Sequence, residues 1–383
     1  MVNPPTPDES KSRRTVLQLI SERTGTAPKL LLTDAGSEHG ASPVVDPGSG
    51  AAKRRVPQGR DKYQLLGEIA RGGMGVIIKG HDTDLGRDVA LKVLDGELAK
   101  NPAVVQRFVE EAQIGGQLQH PGIVPVYELG LMADDCPFFT MKLIKGRTLS
   151  ALLQQRKTTA DNRGRLLAIF ESVCQTMAYA HSKGVLHRDL KPANIMVGAF
   201  GEVQVVDWGL AKVLHRGGVA DEKRAKHTTV NTVIETVRSA PGSSGSDSMV
   251  GSVMGTPAYM APEQAQGEVE KLDERADVFS LGAILCEILT GRPPYVESDG
   301  EPVIVQAARA KLDPARALIE ACDADPVLAK LCLDCLMPAR VARPANADEV
   351  AKAMHEYLTS VEARAQKAEL AAAEARIKAA EER

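Results

Sequence analysis

The sequence is poor in several features that would each point to a class of protein. It has a single tryptophan, Trp208, no long apolar run, no surplus of positive charge and no spaced set of cysteines. The longest apolar stretch, Leu281 to Leu289, is interrupted by Glu287, and it is far shorter than the roughly 20 residues a membrane helix needs. No signal peptide precedes the first periodic segment, so a cytoplasmic chain without a membrane segment is expected. A formal net charge of −3 gives no global positive field, which argues against nucleic acid or an anionic membrane as the main partner. Local basic clusters such as Lys53-Arg54-Arg55 read as linker solubility. Cys136, Cys174, Cys286, Cys322, Cys332 and Cys335 are scattered through apolar sequence and read as reduced core residues. Cys332 and Cys335 form a C-x-x-C, but with no second pair and no nearby histidines they argue against metal or redox use.

What is present is concentrated in one octet, His187-Arg188-Asp189-Leu190-Lys191-Pro192-Ala193-Asn194, followed after two short apolar runs by Asp207-Trp208-Gly209. These residue types suit phosphoryl transfer. Asp189 can accept a hydroxyl proton, Lys191 can hold a transferring phosphoryl group, and Asn194 with Asp207 offers oxygen ligands to Mg²⁺. A polar surface loop that happens to contain His-Arg-Asp is the alternative. The octet and the Asp-Trp-Gly triplet resemble the catalytic loop and metal motif of the eukaryotic-type (Hanks-type) serine/threonine protein kinases, in a bacterial-like form.

The resemblance extends on both sides. Residues 1–60 are rich in Pro, Ser, Gly and charge and read as disordered linker. Within them Thr15 to Glu22 is a helix-like island, either transient or docked on the rest of the chain. From Tyr63 the pattern changes to strands, Tyr63 to Ala70 and Val76 to Gly80, around Arg71-Gly72-Gly73-Met74-Gly75. The third strand, Val89-Ala90-Leu91-Lys92, ends in a lysine at the distance the family uses, and Ala70 replaces the first glycine of the family's loop. An amphipathic helix follows from Pro102 to Leu118. It carries two acids, Glu110 and Glu111, that could pair with Lys92; spacing to His120-Pro121 selects Glu111 by family analogy. Further strands are expected at Val124 to Leu131 and Phe138 to Leu143, and helices at Thr148 to Gln155 and Arg165 to Ser182.

Downstream, the segment from Asp207 to Ala261-Pro262-Glu263 is long, with a Gly-, Ser- and Thr-rich middle from Arg216 to Val250 expected to lack fixed structure. Its end, Gly255-Thr256-Pro257-Ala258-Tyr259-Met260-Ala261-Pro262-Glu263, is another family match. Asp277 opens an apolar helix, and the resemblance makes it the buried acid that holds the catalytic loop. Arg343 matches the arginine that pairs with Glu263. The last helix is expected from Asn346 to Arg383, solvated or weakly coiled-coil beyond Val361. Because the chain ends inside that pattern, a longer natural protein is expected, this chain being the cytoplasmic part of a membrane-anchored whole.

The resemblance implies an α+β, two-lobed protein kinase fold. An N-terminal antiparallel sheet with one helix (61–145) precedes a mainly helical C-terminal lobe (146–358), with a charged Ala-rich helix at 359–383. It implies ATP between the lobes, contacted by Ala70, Gly72, Gly73, Gly75, Ile77, Ala90, Lys92, Met141, Leu143 and Met196. Mg²⁺, with Mn²⁺ as an alternative ion, would sit on Asn194 and Asp207. Asp189, Lys191, Asn194, Lys92 and Glu111 form the implied catalytic set. Arg188 would clamp an activating phosphate on Ser252, Ser246 or Ser248, Thr256 would lie beside Asp189, and Thr228, Thr229 and Thr232 are weaker phosphate acceptors. The implied partners are protein substrates and a second copy of the chain for trans-autophosphorylation. A nucleotide-binding pseudokinase scaffold is the alternative function, which a complete catalytic set disfavours. Trp208 stands where relatives have phenylalanine, and Gly115 stands where they have Leu or Met; either the two compensate, or Gly115 lets its helix pass close to a strand.

Overall fold

The computed structural model describes residues 21–23, 25, 62–132, 134–214, 255–297 and 300–381. The expected phosphate acceptors Ser246, Ser248, Ser252, Thr228, Thr229 and Thr232, and most of the Thr15 to Glu22 island, lie outside them. The described residues form two compact units, one from the chain up to Gln117 with Pro125–Leu143, the other from Leu118–Val124 with Ile144 onward.

The first unit is a five-stranded antiparallel sheet in the order β1-β2-β3-β5-β4: β1 (Tyr63–Gly72), β2 (Gly75–Asp82), β3 (Arg87–Leu94), β4 (Val126–Leu131) and β5 (Pro137–Lys142). Glycines close the first hairpin, with Gly72 opposite Gly75. A Cβ on Gly75 would stand 2.1 Å from the Val93 carbonyl oxygen, so no side chain fits there. Helix α1 (Pro102–Gln117) starts where Asn101 Oδ1 accepts the Ala103 N–H, with proline in the first turn where its missing donor costs nothing. Val105, Phe108, Val109 and Ala112 recur at helical spacing and are buried in one cluster with Val89, Leu91, Val93 and Phe139. Each large apolar side chain so buried contributes about 1.5–3 kcal/mol. At Gly115 a Cβ would meet Val126 Cγ2 of β4 at 2.9 Å. The glycine thus lets the helix lie close to this strand, the second of the two sequence readings. Of the N-terminal tail, Arg23 donates to the Ala99 carbonyl at 3.2 Å.

The second unit is mainly helical. Its short strands are β6 (Gly146–Thr148), β8 (Ile195–Gly198) and β9 (Val203–Val205) in one sheet, and β7 (Val185–Leu186) with β10 (Lys212–Val213) in another. Helix α2 (Leu149–Gln154) is capped by Thr148, whose Oγ1 accepts the Ala151 N–H, and is followed by α3 (Arg163–Ser182) and α4 (Pro262–Ala265). Helix α5 (Glu274–Thr290) begins at Asp273, which accepts the Arg275 N–H. It ends at Gly291 with φ 80°, a left-handed stop that glycine takes without strain. It is buried nearly all round from Ala276 to Leu289, as befits the helix at the centre of a core. Around it lie α6 (Val303–Ala308), α7 (Asp313–Ala321), α8 (Pro326–Cys335) and α9 (Ala347–Glu381). The last is unbroken, with Ala347, Val350, Ala351 and Met354 buried and residues 362–378 exposed. Among the described residues no helix is long and apolar enough to cross a membrane.

The boundary between the units differs from a single cut near residue 145. Leu118–Val124 precede two strands of the first unit, yet belong to the second. Gln119 N–H donates to the Tyr179 hydroxyl, His120 stacks on the Tyr179 ring at 5.1 Å, and the Gly122 carbonyl accepts the Val205 N–H at 2.8 Å. Strand β4 correspondingly starts at Val126, two residues later than expected.

Candidate active site

In the first unit Lys92 and Glu111 form an ion pair at 2.6 Å, with side-chain exposures of 13% and 7%. Glu110 is turned away and accepts from Gln106 Nε2 one helical turn back. Lys92 lies opposite Ile77 on one side and Phe139 on the other, and Ala90 lies between Lys79 and Met141. Ala70 pairs with Ile77 beside a bulge in β1. Around Gly72 and Gly73 the directions a Cβ would take are open. That leaves their backbone approachable, the property a phosphate-covering loop needs. Met141 closes into β5 and Leu143 follows it, both half-buried, while Met196 is half-buried on β8 of the second unit.

In the second unit the His187–Asn194 loop is held by one buried acid. Asp277 accepts the N–H of His187 at 2.8 Å on Oδ2 and that of Arg188 at 2.9 Å on Oδ1. Its third donor is His181, Nε2 to Oδ2 at 3.0 Å. His181 Nδ1 accepts the Ala347 N–H, so its ring proton is on Nε2 and points at Asp277. Burial alone would drive the Asp277 carboxyl up, but the His181 and Arg188 donors more than offset it and hold it below the usual carboxylate range. His187 follows the same logic: Nδ1 accepts the Asp189 N–H, and Nε2 donates to the Val206 carbonyl. Its ring lies 4.7 Å from that of Trp208, whose Nε1 donates to the Val205 carbonyl.

Three groups converge within the loop. Lys191 Nζ donates to Asp189 Oδ2 at 2.7 Å and to Thr256 Oγ1 at 2.6 Å, and the Thr256 hydroxyl donates to Asp189 Oδ1 at 2.9 Å. The Thr256 N–H also reaches Asp189 Oδ1, at 2.8 Å. Asn194 Nδ2 donates to the Asp189 carbonyl at 2.9 Å, which turns the amide so that its oxygen is the group left for a cation. Asn194 O accepts the Val206 N–H, tying this loop to the strand that leads to Asp207. Arg188 and Asp207 both take left-handed backbone, φ 66° and 64°. Non-glycine residues there cost about 1–3 kcal/mol each and persist only where surrounding bonds over-determine them. Arg188 Nε donates to the Leu210 carbonyl at 2.5 Å.

Glu263 and Arg343 form a buried two-pronged pair at 2.7 and 2.9 Å, and the same guanidinium serves the carbonyls of Met337, Arg275 and Pro338. Over residues 63–358 the chain matches the protein kinase domain.

The chain belongs to the protein kinase domain family.

Its kinase domain is similar to three curated bacterial relatives, each named serine/threonine-protein kinase PknD. Identity is 37% over 250 residues to the protein of Protochlamydia amoebophila, 34% over 315 residues to that of Chlamydia muridarum, and 35% over 258 residues to that of Chlamydia pneumoniae. These alignments take in 63%, 78% and 65% of this chain but only 24%, 32% and 26% of the relatives, so the chain spans about a quarter to a third of their length.

Three contacts in the kinase domain were not foreseen from sequence. His181 shares Asp277 with the loop; Gln264 Nε2 donates to the Arg188 carbonyl at 2.6 Å; and the Tyr259 hydroxyl donates to Glu287 Oε2 at 2.6 Å. Burial raises the Glu287 carboxyl despite that donor. The signal available for Glu287 was its place as the one charge inside the Leu281 to Leu289 run.

Proposed function

We propose that this chain is an ATP-dependent protein serine/threonine kinase, transferring the γ-phosphate of ATP to protein hydroxyls. The observation that carries the reading is the Asp189, Lys191 and Thr256 cluster. A carboxylate already accepts a threonine hydroxyl there, and an ammonium touches both, all within 2.6–2.9 Å. Such a carboxylate can orient an incoming hydroxyl and take its proton as transfer proceeds. Lys191 supplies positive charge where negative charge accumulates, and Lys92, fixed by Glu111, does the same for the nucleotide phosphates.

The donor set fits a hard divalent ion, since Asn194 and Asp207 offer amide and carboxylate oxygens rather than sulfur or imidazole. Mg²⁺, or Mn²⁺ in its place, would neutralise phosphate charge when bound. The open space at Gly72 and Gly73 suits phosphates beneath the hairpin. Ala70, Gly75, Ile77, Ala90, Met141, Leu143 and Met196 are the remaining proposed ATP contacts. A pseudokinase scaffold has no observation in its favour, because Lys92, Glu111, Asp189, Lys191, Asn194 and Asp207 are all retained. Phosphate is proposed on Ser246, Ser248 or Ser252, paired to Arg188 and placed by a second copy of the chain in trans. The proposed setting is the cytoplasm, where ATP is supplied, as part of a longer membrane-anchored protein.

Incubation of the purified chain with ATP and Mg²⁺, or Mn²⁺, followed by mass mapping tests the reading, with Asp189→Asn as control. Phosphoserine or phosphothreonine should appear in the native chain and be lost in the control. Equal phosphate in both, or none in either, would refute kinase activity. Active protein with Ser246, Ser248 and Ser252 all unmodified would refute only the acceptor assignment.

A further inference from the structure

A concave pocket of about 490 Å³ lies wholly within the second unit, between the β6–α2 segment, the start of α3 and the β8 turn. Four of its twelve lining residues are cationic, Lys145, Arg147, Arg156 and Arg165, and none is a carboxylate. Their partners differ. Arg156 is half-buried and spends its guanidinium on carbonyls, chiefly Ile288 at 2.7 Å and Glu287 at 3.1 Å, so its charge is fixed in the wall. Arg147 donates to a neutral group, Gln155 Oε1. Lys145 and Arg165 are exposed and make no side-chain hydrogen bond or ion pair among the described residues.

Of the nearby acids, Glu287 and Asp161 act on Arg156, which leaves Lys145, Arg147 and Arg165 as the charge available. Asp161 accepts from the Lys157 and Thr158 backbone and the Thr158 hydroxyl, and Asp323 is paired to Arg163. Glu202 lies over Gly198 at the rim and accepts the Phe200 N–H. Cations gathered in a concavity with low-dielectric walls focus a positive field and hold an anion by charge-assisted hydrogen bonds. Guanidinium groups suit a phosphate, which they can grip through two parallel donors.

We propose that this pocket binds a phosphorylated serine or threonine in a protein segment, separately from the site that transfers phosphate. The aliphatic lining, Leu152 and Leu166 among it, suits an apolar residue flanking the phosphate. No aromatic ring lines the pocket, so the base-stacking platform a nucleic acid strand uses is missing. The volume suits one phosphorylated side chain with its immediate neighbours rather than a folded surface. A kinase carrying such a pocket holds a segment that has already been modified. The inference goes beyond the activity proposed above and does not depend on turnover.

The test is fluorescence polarisation of the full, phosphatase-treated chain without ATP, using a labelled phosphoserine peptide with leucine on either side. The phosphopeptide should bind, and more weakly as salt rises. The unphosphorylated peptide, and the Lys145→Ala/Arg165→Ala double variant, should each show affinity lower by about tenfold or more, the loss expected when charged hydrogen bonds are removed. Because both side chains are exposed, thermal unfolding should be unchanged; if the double variant unfolds early, Arg165→Gln alone should still weaken the phosphopeptide. Equal affinity for both peptides, or for native and variant protein, would overturn the proposal. So would binding to phosphatidylserine vesicles with none to the phosphopeptide, which would make the pocket a membrane contact.

Discussion

Asp277 accepts the backbone N–H of Arg188 at 2.9 Å, and Arg188 is one of the two site residues held in left-handed backbone. The acid thus fixes the His187–Arg188 peptide, one peptide ahead of the one that carries the Asp189 N–H, and it reaches it from a helix some ninety residues downstream. Its replacement should act on catalysis through geometry. Asp277→Asn keeps the shape but removes the charge and sets an NH₂ group against one of three donors. We expect a stability loss of about 1–3 kcal/mol, the cost of a buried donor left unmatched, and a fall in kcat larger than any change in KM for ATP. Chemical denaturation and steady-state kinetics would check it; unchanged kcat in a folded variant would contradict the role.

The same carboxyl sets an acid limit. Its pKa in the folded chain lies below the unfolded value of about 3.9, because the His181 and Arg188 donors outweigh burial. The stabilisation is therefore complete above that unfolded value and is lost as pH falls through the folded one. Denaturation of native protein between pH 5 and 3 should show stability dropping below about pH 4. The Asp277→Asn variant should show a shallower fall over the same range.

Gly115 offers a packing test within one unit. Since a Cβ there would stand 2.9 Å from Val126 Cγ2, Gly115→Ala should cost about 1–3 kcal/mol by overpacking, less what the helix gains from alanine. Val126→Ala in the same chain should restore part of it, giving a coupling above about 0.5 kcal/mol in a double-mutant cycle.

Removing residues 361–383 should leave one cooperative thermal transition. Beyond Val361 the described side chains of α9 are exposed, and the ties back to the unit are as slight as Arg364 to Asp325 at 3.2 Å. A surface pair of that kind contributes about 0–1 kcal/mol. Removing residues 1–58 should also leave a folded domain, with a small loss from the Arg23 to Ala99 contact. Calorimetry decides both, and loss of the transition in either truncation would make that tail structural.

Much of the site was legible because phosphoryl transfer needs particular residue types at particular chain positions. Asp189, Lys191, Asn194 and Asp207 were named from residue type, whereas Lys92, Glu111, Glu263, Asp277 and Arg343 were named from the resemblance to the kinase family, and the Lys92–Glu111 and Glu263–Arg343 pairs are formed. The unit boundary was less legible. Nothing in Leu118–Val124 marks those residues as belonging with Tyr179 and Val205, partners far downstream that only folding identifies. Gly115 was recognised as unusual, but its neighbour Val126 could not be read, since helix-to-strand distance is set by every side chain between them. The basic pocket was invisible for a related reason. Arg147 lies on β6, Arg165 on α3 and Lys145 and Arg156 in loops, in a chain of net negative charge, and only their partners show which remain available.

The Ala347 N–H donates to His181 Nδ1, His181 donates to Asp277, and Asp277 receives the His187 and Arg188 peptides. Four stretches of chain, 181, 187–188, 277 and 347, are thereby tied at one dry knot, and none can loosen without stranding a polar group of another. Local fraying is suppressed at the start of the loop that carries Asp189. In hydrogen exchange the amides of His187, Arg188 and Ala347 should open only with global unfolding of the second unit, at one common free energy.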